Sequence, residues 1–182
     1  KFDEVLSTHL STRERFTEYT EVYRRIAAYA DLTRVMDLAC GMNPLSLFYM
    51  PERPAYYCAV DLFEQDAALI RSFFKASGQQ GEAHGMDLAK HPDSVCALPQ
   101  STVAFLFKAL DVLEAQNRNM TYEFLPQIPA DVIVASFSTV NVRQQRLTNP
   151  RRNWFEKVCT RKGFRFLTFE VGNELFYVCR AE

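Results

Sequence analysis

The chain lacks the long apolar runs that membrane insertion requires. None of its 182 residues belongs to a run of roughly eighteen apolar residues, and no charged segment followed by a short apolar stretch opens it. These absences argue against a membrane span or a secretion signal, so we expect a cytosolic protein. Hydrophobic residues make up 48% of the chain and aromatic residues 13%, which is enough for the core of one globular domain.

Cysteine and histidine are too scattered along the chain for the usual spacing of a zinc site. The five cysteines form no C-x-x-C pair and fall mostly in apolar segments; they are Cys40, Cys58, Cys96, Cys159 and Cys179. His9, His84 and His91 do not stand at ligand spacing from them. We therefore expect the cysteines to pack as small buried apolar side chains, and we expect no bound metal.

A general excess of positive charge is also missing. The net charge is -1, whereas proteins that bind nucleic acid are often strongly basic, which argues against an RNA substrate. Arginines are nevertheless concentrated in two segments, at Arg13, Arg15, Arg24 and Arg25 and at Arg143, Arg146, Arg151 and Arg152. The second group forms either a phosphate-binding loop or a solvated, salt-screened one.

Apolar residues alternate between strand-like runs and helical spacing. Ser11 and Glu14 form a capping box that starts a helix reaching about residue 30. Strands are predicted at residues 34–41, 56–61, 82–88, 103–108 and 132–137, and helices at 67–77, 112–128 with a break at Pro126, and 153–162. Residues 164–170 and 175–180, on either side of Gly172 and Asn173, predict an antiparallel hairpin.

This order of elements predicts an α/β fold with a Rossmann-like, mostly parallel, doubly wound sheet and a C-terminal antiparallel hairpin. We expect one domain over residues 1–182, with residues 1–30 packed on it as an N-terminal helical segment. In such a sheet the ligand binds beyond the carboxyl ends of the strands.

Three successive strand ends carry residues suited to a nucleoside cofactor. Gly41, which closes the segment that begins at Asp37, lets the backbone approach a ligand closely, although a plain turn is equally consistent. Asp61 ends the next strand, where it can accept hydrogen bonds from ribose hydroxyls or cap the following helix. Asp87 and Leu88 end the third strand, where Asp87 could also be a surface cap. Together the three strand ends favour a cofactor site.

Six short segments follow one another between residues 9 and 178. They are residues 9–15 (HLSTRER), 37–45 (DLACGMNPL), 107–110 (FKAL), 136–137 (SF), 154–156 (WFE) and 172–175 (GNEL). In this order they resemble the aminoglycoside-resistance 16S rRNA guanine-N7 methyltransferases, and the first two are the distinctive ones. The resemblance implies a class I methyltransferase fold, S-adenosylmethionine as cofactor, and 16S rRNA in the 30S ribosomal subunit as substrate.

The resemblance also implies a role for individual residues. Arg13 would contact the methionine carboxylate of the cofactor and Gly41 would pack against it. Asp61 would bind the ribose, and Asp87 with Leu88 would hold the adenine. Lys108 would line the methyl-transfer pocket without a general base, because guanine N7 already carries a free lone pair and catalysis can come from positioning and desolvation.

The chain departs from the family's pattern in two places. The family's S-F-P-T segment precedes a glycine-rich loop with lysine, whereas residues 138–152 here are rich in arginine and contain no glycine. The sequence also does not include the family's N-terminal helical extension, and we expect a shortened relative. Two other hypotheses stay open: a methyltransferase for a small molecule, favoured by the near-neutral charge, and a cofactor-binding module without transfer activity.

Overall fold

The structure, a computed structural model, describes residues 17–182. The predicted capping box at Ser11 and Glu14, and with it Arg13, lies outside the described residues. Helix α1 spans Tyr19–Ala27. Its residues Tyr19, Tyr23 and Ile26 are fully buried, because residues three and four apart share one face of a helix.

Seven strands form one mixed sheet. The parallel strands are β1 (Arg34–Leu38), β2 (Tyr56–Asp61), β3 (Gly81–Gly85), β4 (Ser101–Phe107) and β5 (Ala130–Ser138). The antiparallel hairpin consists of β6 (Phe164–Val171) and β7 (Glu174–Ala181). The strand order is β3-β2-β1-β4-β5-β7-β6, so the predicted parallel sheet with a C-terminal hairpin is confirmed.

The third strand and the central helix differ from their predictions. β3 ends at Gly85, so Asp87 and Leu88 lie in the loop beyond it instead of inside the strand. The helix predicted over residues 112–128 is wrong as a single element: it divides into α3 (Leu110–Gln116) and α4 (Met120–Phe124). Asn119 causes the division, because its φ of 66° lies in the left-handed region, which no helix interior adopts.

The remaining connections place helices or short turns over both faces of the sheet. Helix α2 (Glu64–Ser77) ends at Gly78 in the left-handed conformation, as its glycine predicts. Helix α5 (Asn153–Arg161) precedes the hairpin. The 3₁₀ helices Asn43–Tyr49 and Pro92–Ala97 stand between β1 and β2 and between β3 and β4. None of the helices within residues 17–182 combines the length and apolarity needed to cross a bilayer.

Both faces of the sheet are covered by a hydrophobic cluster, one that includes α1 and α2 and one that includes α3, α4 and α5. The central strands are therefore buried on both sides, which explains their nearly continuous apolar sequences. Four of the five cysteines are buried as expected, and Cys96 is the exception, since it is exposed.

Candidate active site

A cavity of about 250 Å³ opens beyond the carboxyl ends of β1, β2 and β4. It is bordered by the loops that follow these strands and β3, and by the first turns of α3. Five of the six predicted cofactor and pocket residues border it, namely Gly41, Asp61, Asp87, Leu88 and Lys108. The sixth, Arg13, lies outside the described residues. A second groove of about 1170 Å³ lies between α3, α4 and α5 and shares no lining residue with this cavity.

The loop after β1 forms one wall of the cavity through its backbone. Gly41 has a φ of 52°, and its amide donates a 2.6 Å hydrogen bond to Asp61 Oδ2. A Cβ added at Gly41 would meet no protein atom within 4 Å, so the glycine leaves open a concave space that a side chain would fill. This hydrogen bond joins the loop after β1 directly to the end of β2.

Asp37 holds the other side of this loop, although the sequence assigned it no role of its own. The buried Asp37 carboxylate accepts hydrogen bonds from Asn43 Nδ2 at 2.8 Å and from the Tyr57 hydroxyl at 2.7 Å. Burial, together with the negative charge of Asp37, raises the pKa of the Tyr57 phenol well above its usual value. Burial beside Asp37 and Asp61 likewise raises the pKa of the Cys40 thiol, so this cavity-lining cysteine stays neutral.

The two predicted acids differ in their surroundings. Asp61 does not cap α2, since the N-cap residue of that helix is Phe63 and no side chain caps it. Asp87 does act as a local cap: its Oδ1 accepts from the Lys90 amide at 3.1 Å and its Oδ2 lies 3.0 Å from Lys90 Nζ. The hydrogen bond from Lys90 lowers the pKa of Asp87. Asp87 therefore both stabilises its loop and lines the cavity.

Lys108 is held at the cavity wall by two buried residues from neighbouring strands. With a φ of 55°, it turns the chain sharply after β4, and its amide donates to both the carbonyl and the hydroxyl oxygen of Ser136 at 3.1 Å. Its Nζ lies 3.6 Å from Glu174 Oε2. Glu174, only 2% exposed, also accepts a hydrogen bond from the Ser136 hydroxyl. Ser136 and Glu174 both fall in segments that carry the resemblance, but the sequence analysis assigned no role to either.

The predicted RNA-contacting arginines follow β5 at the same edge of the sheet as the cavity. Arg143 is exposed beside Val142, which is 99% exposed. Arg146 and Arg151 make ion pairs of 2.6 Å with Glu170 and Glu156 respectively; both arginines stay largely exposed. The fourth arginine is fixed differently.

Arg152 is bound into the structure. Its guanidinium lies 3.1 Å from Asp111 Oδ2 and stacks 5.3 Å from the centroid of the Phe137 ring, and its side chain is 17% exposed. Of the four arginines, Arg152 is therefore the one least available to a partner, whereas Arg143, Arg146 and Arg151 are exposed.

The strand order and the cavity at the strand ends define the class I methyltransferase fold. Two solved structures share it over 100% of this chain. One is the 16S rRNA methyltransferase RmtF in complex with S-adenosyl-L-homocysteine, with a TM-score of 0.83 and 28% identity over 68% of that chain. The other is the 16S rRNA methylase RmtB, with a TM-score of 0.80 and 26% identity over 69% of that chain.

The chain belongs to the ribosomal RNA methyltransferase (FmrO) family, whose sequence pattern matches residues 2–178. The 16S rRNA (guanine(1405)-N(7))-methyltransferase of Micromonospora rosea is 32% identical over 178 residues, which are 95% of this chain and 63% of that protein. The enzyme of the same name from Serratia marcescens is 27% identical over 155 residues, or 83% of this chain and 59% of that protein. The resemblance drawn from the six segments is confirmed, and the chain spans about three fifths of the length of these relatives.

Proposed function

We propose that the chain is an S-adenosylmethionine-dependent methyltransferase that modifies guanine N7 in 16S rRNA. The observation that carries this proposal is the convergence of Gly41, Asp61, Asp87, Leu88 and Lys108 on one cavity in a member of an rRNA methyltransferase family. The names of the relatives and the S-adenosyl-L-homocysteine bound to RmtF support the same reaction and cofactor. Residues 1–182 would act as one domain, with residues 1–30 packed on it.

The cavity fits a nucleoside cofactor. An ionised carboxylate has several acceptor positions, so Asp61 can hold the Gly41 amide and still accept from ribose hydroxyls. The buried Leu88 side chain offers an apolar surface for the adenine ring, and the Asp87 carboxylate can accept from its amino group. The open space at Gly41 allows the backbone to approach the ligand. Arg13 would contact the methionine carboxylate.

The cofactor supplies a methyl group on a positively charged sulfonium. Such a ligand is disfavoured beside an uncompensated cation, and Lys108 is a cation at the cavity wall. Glu174, with Oε2 3.6 Å from Lys108 Nζ, compensates that charge. No proton has to leave guanine N7, so this chain's residues contribute by orienting the two reactants and excluding water.

RNA binding is proposed for the loop over residues 139–152. It emerges from β5 beside the cavity and exposes Arg143 and Arg146, which can contact phosphates without reading sequence. With a net charge of -1 for the whole chain, RNA affinity must come from this local concentration of charge. With 16S rRNA in the 30S subunit as the proposed substrate, the protein would act in the cytoplasm.

The test is incubation of the purified chain with labelled S-adenosylmethionine and 30S subunits, followed by mass spectrometry of the 16S rRNA. We expect one methylated guanine, and no product with the Asp61→Asn variant. Label transferred to a small-molecule extract but not to RNA would replace the proposal with the small-molecule hypothesis. Cofactor binding in calorimetry without transfer to either substrate would support a binding module instead.

A further inference from the structure

A second cluster of functional side chains lies on β2 and β3, outside the cavity. It consists of Cys58 on β2 and Glu82 and His84 on β3. Cys58 pairs directly with Glu82 in the parallel ladder, and His84 follows two residues later, so all three side chains share one face of the sheet. The Cys58 sulfur, a Glu82 carboxylate oxygen and a His84 ring nitrogen all lie within 4.8 Å of one another.

The three donors have the chemistry and spacing of a metal site. Thiolate, imidazole and carboxylate are the zinc ligands of proteins, and oxygen and nitrogen ligands stand about 3.4 Å apart around a tetrahedral zinc ion. Glu82 Oε1 and His84 Nε2 are 3.4 Å apart. Two ligands at positions i and i+2 of one strand, with a third on the adjacent strand, can converge on one ion without any change of backbone.

The cluster is open to solvent on one side, through which an ion could enter. Cys58 is fully buried, whereas the side chains of His84 and Glu82 are 41% and 36% exposed. An ion arriving from solvent would meet the imidazole and the carboxylate first and then the sulfur beneath them. This leaves a fourth position on the solvent side for water.

We propose that Cys58, Glu82 and His84 bind one divalent transition-metal ion, with zinc as the ion that fits this donor set. On binding, the Cys58 S–H bond gives way to a sulfur–metal bond and the proton passes to solvent. The ion ties the outer strand β3 to β2 and stabilises the sheet. The cluster is not visible as a sequence motif, because Glu82 stands 24 positions after Cys58 in the chain.

The site is tested by titrating the full chain, stripped of metal, with zinc in a calorimeter and with cobalt in a spectrophotometer. We expect one equivalent of zinc, and cobalt absorption from sulfur-to-metal charge transfer. His84→Ala and Glu82→Gln should weaken zinc binding at least tenfold, and Cys58→Ser should abolish the cobalt band. The matched controls His91→Ala and Cys96→Ser change the same residue types outside the cluster and should retain both properties.

Three outcomes would overturn the proposal: no zinc uptake by the unaltered chain, equal binding by His84→Ala and His91→Ala, or a cobalt band that Cys96→Ser removes. Circular dichroism would reveal whether Cys58→Ser fails to fold. His84 is partly exposed, so His84→Ala should fold normally and still test the site. Calorimetry with S-adenosyl-L-homocysteine should give the same affinity for His84→Ala as for the unaltered chain. Failure of the proposed methyltransferase function would instead appear as loss of that binding.

Discussion

Two residues on either side of Cys40 give the loop after β1 its shape. Ala39 and Gly41 have φ values of 51° and 52°, in the left-handed region where a Cβ costs about 1–2 kcal/mol. Ala39 retains that cost. Gly41 avoids it and also leaves the adjoining space open. The left-handed conformation at Ala39 thus only turns the loop, whereas at Gly41 it also borders the open space that we propose for the ligand.

Gly41→Ala should separate these two contributions. We expect an unfolding free energy lower by about 1–2 kcal/mol from backbone strain alone, and S-adenosyl-L-homocysteine affinity at least tenfold weaker because the new methyl occupies ligand space. Urea unfolding and calorimetry measure the two quantities. Gly163→Ala is the matched control: its φ is 74° and nothing lies within 4 Å of an added Cβ, but it is far from the cavity. Equal ligand affinity in both variants would contradict the assignment.

Glu174 allows a prediction about charge in the cavity. Glu174→Gln keeps the size of the side chain and leaves the Lys108 charge less compensated. S-adenosylmethionine carries a positive sulfonium and S-adenosyl-L-homocysteine does not. The affinity for S-adenosylmethionine, divided by that for S-adenosyl-L-homocysteine, should therefore fall roughly threefold to tenfold. Calorimetry with both ligands gives that ratio. Adding Lys108→Met should restore it, whereas a purely structural role of Glu174 would weaken both ligands equally.

At the scale of elements, the sequence predicts the strands and the residues at their ends, because these depend on local patterns of apolar residues. β2 has the predicted bounds, residues 56–61, because its run of apolar residues is buried on both faces. Gly41 and Asp61 could be predicted at the cavity because Gly41 follows β1 and Asp61 ends β2, whereas Lys108 was predicted there from the family resemblance. Glu174 could not, since it meets Lys108 and Ser136 only after β7 pairs with β5, a contact between distant parts of the chain. The division between α3 and α4 was missed because an asparagine in the left-handed conformation leaves no pattern of its own.

The loop over residues 139–152 can be tested as an element. Replacing Arg143 and Arg146 together by alanine should weaken binding to 16S rRNA fragments and lower the slope of log affinity against log salt by roughly 1.5. Fluorescence anisotropy at several salt concentrations measures both. Arg165→Ala is the control, because this arginine is also exposed and ion-paired but is the second residue of β6, at the opposite end of the strands from the loop. If Arg165→Ala changed the RNA affinity and its salt slope equally, the effect would come from net charge and not from the loop.

At the scale of the whole molecule, the C-terminal hairpin is part of the core. β7 lies between β5 and β6, and its Phe176 and Tyr177 are fully buried on opposite faces of the sheet. The sheet therefore runs without a gap from the cluster of Cys58, Glu82 and His84 on β2 and β3, past the cavity beyond β1 and β4, to the hairpin. Because each strand is supported by its neighbours, the described residues should unfold as one cooperative unit.

If the two proposed ligand sites lie in one cooperative unit, their ligands should stabilise it additively against heat. A ligand at a hundred times its Kd contributes about 2.7 kcal/mol, which raises the Tm of a domain of this size by roughly 5–10 °C. S-adenosyl-L-homocysteine and zinc together should therefore shift one transition by the sum of their single effects. Asp61→Asn should lose only the first shift and His84→Ala only the second. Two transitions in calorimetry, each moved by one ligand, would mean that the cavity and the edge of the sheet unfold independently.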